Sequence, residues 1–226
     1  CRRLLLFLLA SRHRAVPREQ IIEALWPQLP RASGENRFHI ALSRLRRILE
    51  PEIISRSDTQ IIVRQADRYQ LAADAYRIDA DEFVRLASPF LRGGQARRLS
   101  TSQEQMLIQA TALYSGDFLE EHPYEEFLDE ERAHLREMQR TALLRLGDHY
   151  RLQRLTARAL HYCRQALALD PSREDAHRRV IFAYLLSGDC AMGARAWQDC
   201  VAILRRELDV DPSPATRGLA RRWLNR

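Results

Sequence analysis

The stretch NRFHIALSRLRRILEP, Asn36 to Pro51, places four arginines and an asparagine on one helix-length segment. At 100° per residue, Phe38, Leu42, Leu45 and Leu49 fall on one side at spacings of 4, 3 and 4 and must face a core. Asn36, Ile40, Ser43, Arg44 and Arg47 fall opposite, with Arg37 and Arg46 on the flanks. Forked guanidinium groups suit phosphate oxygens and guanine, a carboxamide suits adenine, and an apolar side chain can touch a thymine methyl. A helix packed behind and polar in front is what the second helix of a helix-turn-helix offers to the major groove. For any single arginine a solvated helix face is as good an account; the set of them points to duplex DNA.

Three helices and a hairpin are needed to hold that face. Leu4, Leu5, Phe7, Leu8 and Leu9 predict a first apolar helix. Pro17 opens a second, with Ile21, Ile22, Leu25 and Trp26 at helical spacing, and Pro27 stops it. The third spans about Gly34 to Leu49. IIVR and YQLA, separated by Gln65 to Arg68, then read as two short strands around a tight turn. Arg64 and Arg68 flank the turn, within reach of a neighbouring phosphate or the minor groove. Three helices with an arginine-tipped hairpin describe a winged helix.

Charge supports the same division of the chain. The formal net charge is +6 over 226 residues. Residues 1 to 78 hold 14 Arg against 8 Asp plus Glu, and residues 79 to 226 hold 22 against 22, so the whole excess lies in the first third. Lysine is absent throughout, a bias that a G- and C-rich genome explains as well as binding does. LLLFLLA, Leu4 to Ala10, is too short to cross a bilayer, and Ser11-Arg12-His13-Arg14 replaces the small residues of a signal-peptide cleavage site. Cys1, Cys163, Cys190 and Cys200 show no metal-ligand spacing, which leaves reduced thiols in a cytoplasmic protein.

After Asp79 no strand pattern returns. Helices of a dozen residues or more follow, with breaks at Gly93-Gly94, Ser115-Gly116-Asp117, His122-Pro123, Asp170-Pro171, Ser187-Gly188 and Asp211-Pro212. RALHYCRQAL (Arg158 to Leu167) aligns with RAWQDCVAIL (Arg195 to Leu204), and ALDPS resembles DVDPS. The first offset is 37 residues where tetratricopeptide repeats have 34, so the reading is an irregular tetratricopeptide-like array.

ENRFHIALSRLRRILEP followed by IIVRQADRYQL resembles the recognition helix and wing of OmpR/PhoB-type winged helices, and AVPREQIIEALWP resembles the preceding helix in a narrower group, the SARP-like bacterial transcriptional activators. DADEFVRL, ALYSGDFLEE, ALALDPSREDAHRRVIFAYLLSGD and LRRELDVDPSPATR are similar to that group's all-helical bacterial transcriptional activator domain. The resemblance covers nearly the whole chain. It implies a mainly α protein: a winged helix over residues 1–78, without the small N-terminal β-sheet the family carries, then a tetratricopeptide-like activator domain over 79–226. It places Asn36, Arg37, Ser43, Arg44, Arg46 and Arg47 on the DNA-facing helix, and Arg64, Arg68 and Tyr69 in the wing. The loop Pro27 to Glu35 matches the segment that lies near RNA polymerase in OmpR-like activators.

Two departures carry expectations. The wing strands normally pair with the N-terminal sheet, so the hairpin is expected to lack support. The turn QADR has no glycine, so Asp67 is expected to take any positive φ. The implied partners are double-stranded DNA, RNA polymerase subunits and a second protomer on direct repeats, with no membrane and no cofactor. A tetratricopeptide-type interaction scaffold without DNA binding is the alternative.

Asp117 to Glu131 holds eight acidic residues and no arginine. It can dock a basic surface, the winged helix included, or suit a helix N-terminus, and the second reading is preferred. Glu130 and His134 lack a further ligand for a metal. His149, His161 and His177 read as helix-surface or inter-helix residues. No catalytic order, nucleophile elbow, phosphate loop or HExxH is present, so no enzyme is expected.

Overall fold

The computed structural model describes residues 1–51, 60–72, 76–91 and 98–224, with Trp223 and Leu224 by backbone alone. It divides into two compact units, one of Cys1–Ile78 with Phe118–Arg132 and the other of Asp79–Asp117 with Ala133–Arg226.

In the first unit α1 (Arg2–Ala10) is apolar on most of its surface, and Leu4, Leu6, Phe7 and Leu8 are all buried. A short strand β1 (Val16–Pro17) leads directly into α2 (Arg18–Leu25), because the fixed φ of Pro17 suits both an extended residue and a helix N-cap. Trp26 ends α2, and α3 (Arg31–Leu49) starts after Pro30, three residues before the predicted start. Strands β2 (Ile62–Gln65) and β3 (Arg68–Leu71) form the hairpin. The sheet order is β1-β3-β2, both pairs antiparallel, with Val16 opposite Tyr69 and Gln65 opposite Arg68. The hairpin therefore has a third strand from the α1–α2 connection, contrary to the expectation that it would lack support. One extended valine and a proline at a sheet edge left no alternation to read.

Phe118–Arg132 joins this unit as a strap, through a 3-10 turn at Glu126–Leu128 and the first turn of α6 (Asp129–Leu152). Phe127 meets Phe7 edge to face with centroids 5.4 Å apart, and Leu128 is fully buried. Arg12, 3% exposed, donates to Glu131 at 2.7 Å and to the Leu9 carbonyl at 3.0 Å, and lies 5.1 Å above the Phe118 ring. Arg3 donates to Glu125 at 3.0 Å. Arg132, also buried, donates to the carbonyls of Phe118, Leu119 and His122 and so shapes the strap from within. The acidic run thus docks on the winged helix, the reading set aside above. Asp129, Glu130 and Glu131 also occupy the first turn of α6, where they suit its dipole.

The second unit holds α4 (Asp79–Leu91), α5 (Thr101–Leu113), the rest of α6, α7 (Thr156–Leu169), α8 (Glu174–Leu186), α9 (Cys190–Leu208) and α10 (Pro214–Leu224). A capping box between Ser100 and Gln103 starts α5. The aligned segments fall in α7 and α9, the first helices of successive pairs, with Cys163 and Cys200 equivalent and both buried. The repeat offset grows from 37 residues at Arg158/Arg195 to 41 at Asp170/Asp211; past the aligned segments α9 runs two residues further than α7, and Asp209 and Val210 add two more before Asp211. A Cβ at Gly193 would stand 2.9 Å from Leu185, so the missing side chain lets α9 approach α8. The break at Gly93-Gly94 lies outside the described residues.

Candidate nucleic-acid interface

The back of α3 is packed as its spacing requires. Phe38, Leu42 and Leu45 are buried with Ala41, and Phe38 meets Tyr69 edge to face at 5.0 Å. A Cβ on Gly34 would stand 2.6 Å from Ile22, so glycine here sets how closely α2 and α3 cross. Burying each large side chain contributes about 2 kcal/mol, enough to fix the rotation of α3 about its axis.

That rotation presents Asn36, Arg37, Ile40, Arg44 and Arg47 to solvent, with Ser43 half-buried among them. Arg37, Arg44 and Arg47 make no hydrogen bond or ion pair to any described residue. Near the start of α3, by contrast, Arg31 is neutralised by Glu19 at 2.5 Å and Glu35 at 3.5 Å. Among the described residues of α3, the arginines without an acidic partner therefore lie in the stretch from Arg37 to Arg47. Ile40, 48% exposed, sits within it.

Arg64 and Arg68 are exposed in the wing. Arg64 Nε donates to the Ala66 carbonyl at 2.7 Å and Arg68 Nη1 to the Ala15 carbonyl at 3.2 Å, and each keeps further N–H groups. The wing turn is held to α2 by the Arg18 amide on the Asp67 carbonyl at 2.9 Å and by Arg18 with the Asp67 carboxylate at 3.5 Å. Ala66, not Asp67, takes the left-handed conformation, at φ +54°. With Arg18 holding both the carbonyl and the carboxylate of Asp67, the positive φ falls on the residue before it.

Two sequence readings need correction, that of Tyr69 and that of the connection before α3. Tyr69 is 2% exposed and belongs to the core, because the register that pairs it with Val16 points it at Phe38; it cannot meet DNA in this fold. Arg46 is half-buried and donates to the Ile62 carbonyl at 3.1 Å, so it ties α3 to β2. Residues 31–35 are the first turn of α3, which shortens the connection between α2 and α3 to 26–30. The strap was the element that sequence reasoning underrated. Its signal was the arginine-free acidic run together with Arg2, Arg3 and Arg12 in an otherwise apolar α1 region.

The histidines divide between the inter-helix and helix-surface readings. His149, buried, accepts the Leu99 amide on Nδ1 at 2.9 Å, and His177 Nε2 lies 2.8 Å from the Pro171 carbonyl; His161 is exposed. Among the described residues no group of His, Cys, Asp and Glu could hold a metal, and no helix is long and apolar enough to cross a membrane.

A winged helix bearing an exposed arginine face, followed by an all-helical array, is the make-up of a SARP-like transcriptional regulator. The family model described as bacterial transcriptional activator domain matches residues 78–224, more than half of the chain, and the chain belongs to that family. Transcriptional regulatory protein MoaR1 of Mycobacterium bovis is 24% identical over 229 residues, covering 96% of this chain and 70% of that protein. MoaR1 of Mycobacterium tuberculosis is 23% identical over 219 residues with the same coverage. The solved structure of Mycobacterium tuberculosis EmbR in complex with low affinity phosphopeptide superposes with a TM-score of 0.77 at 22% identity. That match covers 98% of this chain and 57% of the other, and it shows the shared fold.

Proposed function

We propose that this transcriptional regulator binds double-stranded DNA by laying α3 in the major groove, with the wing on the adjacent backbone, and activates transcription. One observation carries the reading: Arg37, Arg44 and Arg47 are exposed on one side of a helix whose other side is buried, and no described carboxylate neutralises them. Counterion release from Arg37, Arg44, Arg47, Arg64 and Arg68 supplies affinity; Asn36, Ile40 and the arginines that reach base edges supply sequence choice. The segment Pro27 to Glu35 and the helical unit contact RNA polymerase subunits, and two protomers occupy direct repeats. This work belongs in the cytoplasm.

Gel shifts on promoter fragments at several salt concentrations test it. Five phosphate contacts predict a slope of log K against log[salt] of about −4.5, and Arg44→Ala with Arg47→Ala lowers its magnitude by about 2. A slope near zero, or unchanged binding in that double variant, would leave the chain as an interaction scaffold without DNA binding.

A further inference from the structure

In the second unit α8, α10 and the end of α6 line an open cavity of about 720 Å³, within the usual range for small-ligand sites. Its wall carries Arg151, Arg178, Arg179 and Arg222 against a single carboxylate, Asp148, with Phe182 between them. We propose that this cavity binds a small phosphate- or pyrophosphate-bearing molecule, and that it is a ligand site of the helical unit separate from the DNA-binding face.

The argument starts from what the carboxylates already hold. Asp148 accepts from Arg151 Nε at 3.3 Å and Arg179 Nε at 3.1 Å, and Asp175 takes a second bond from Arg179 at 3.2 Å. Arg151 also lies 5.2 Å above the Phe182 ring. These two guanidinium groups are fixed in place. Arg178 makes a long 3.4 Å contact from Nη1 to the Thr216 hydroxyl and feels the charge of Glu174 without a hydrogen bond to it, and Arg222, exposed, makes no hydrogen bond or ion pair to any described residue. Glu174 stands near Arg178 but is off the cavity wall. Burial alone would push its carboxyl up, yet hydrogen bonds from Ser213 and Thr216, with the nearby positive charge of Arg178, outweigh that and hold it below the usual range. Those bonds also occupy its oxygens: Glu174 Oε1 accepts from the Ser213 amide at 2.8 Å and the Ser213 hydroxyl at 2.5 Å.

Asp148 and Asp175 are shared by Arg151 and Arg179, and Glu174 stands behind Arg178, so the four guanidinium groups lining the groove keep more N–H donors facing it than these carboxylates occupy. An anion with several oxygens accepts forked bonds from more than one guanidinium. Thr216, fully buried, holds Arg178 toward α10 without neutralising it, so the free donors are placed in advance. Space is kept open as well: α10 presents Ala215 and Gly218 to the cavity, and nothing lies within 4 Å of a Cβ built on Gly218. The start of α10 at Pro214 adds its positive dipole end to the same cavity.

Calorimetric titration of the whole chain with inorganic pyrophosphate at constant ionic strength tests this. Saturable binding is expected, and Arg178→Ala and Arg222→Ala each weaken it about fivefold or more through loss of a charge-assisted bond. The double variant Arg44→Ala with Arg47→Ala is expected to bind pyrophosphate as the parent does. If it loses binding instead, the anion sits on α3 and the cavity proposal is overturned. Absence of saturable binding, or binding indifferent to both Arg178→Ala and Arg222→Ala, overturns it too. Should Arg178→Ala fail to fold by circular dichroism, the exposed Arg222 decides, since it supports no packing.

Discussion

Removing the Arg12 side chain should release the strap from the winged helix. Arg12 is 3% exposed, its 2.7 Å ion pair reaches a Glu131 side chain only 17% exposed, and its guanidinium covers Phe118 at 5.1 Å. A surface pair of this geometry contributes under about 1 kcal/mol, but truncating one member of a buried pair costs about 3 kcal/mol because the other charge is left unpaired out of water. Arg12→Ala is therefore expected to lower the free energy of opening for 1–17 and 118–132 by about 3 kcal/mol. Hydrogen exchange read by mass spectrometry on peptides from both segments measures it, and a double-mutant cycle with Glu131→Ala isolates the pair. A coupling energy near 1 kcal/mol or more is expected, whereas Arg12→Met, apolar and of similar length, should cost less than Arg12→Ala. Coupling indistinguishable from zero, with protection of 118–132 unchanged in Arg12→Ala, would refute the assignment of the strap to the first unit.

Ala66→Gly should raise the melting temperature, since relief of a left-handed alanine is worth about 1 kcal/mol, less the added chain entropy. Tyr69→Phe should leave both DNA affinity and its salt slope unchanged in gel shifts, because the ring is core and the hydroxyl meets no base. Burial pushes the Cys163 thiol up to about 12 and the Cys200 thiol up to about 11, while Cys1 and Cys190 are exposed. Iodoacetamide at mildly alkaline pH followed by mass spectrometry should modify Cys1 and Cys190 and spare the other two. Glu174 has its folded carboxyl held below its ordinary value of 4.5, so its contribution is present above that value and is lost as pH falls through the lower folded one. Denaturant unfolding should find Glu174→Gln less stable than the parent at neutral pH and the difference shrinking in acid.

Local patterning made much of the recognition helix legible. The 4, 3, 4 spacing of Phe38, Leu42, Leu45 and Leu49 needed only the helical period to predict a buried back, and the same period placed Arg37, Arg44 and Arg47 outside. The hairpin was visible as two β-branched and aromatic runs around QADR. Tyr69 was misread, and the tie of Arg46 to β2 missed, because period tells which side a residue takes and nothing of what lies on that side. Tyr69 sits beside wing arginines in sequence, yet alternation in β3 turns it inward, and Arg46 lies at the border of the polar face where the Ile62 carbonyl is within reach.

What the chain's own order of residues determined, then, is everything set by neighbours within a turn or a hairpin: helix faces, caps, breaks, the uneven charge, the loose repeat of α7 in α9. Tertiary structure alone decided the pairings across long separations. Val16 on Tyr69 closes the sheet, and Arg12 on Glu131, 119 residues apart, brings the acidic strap to α1. No local period encodes such contacts; they depend on which surfaces remain uncovered once the nearby elements have packed, and a buried charge then selects the one partner that offsets its lost water.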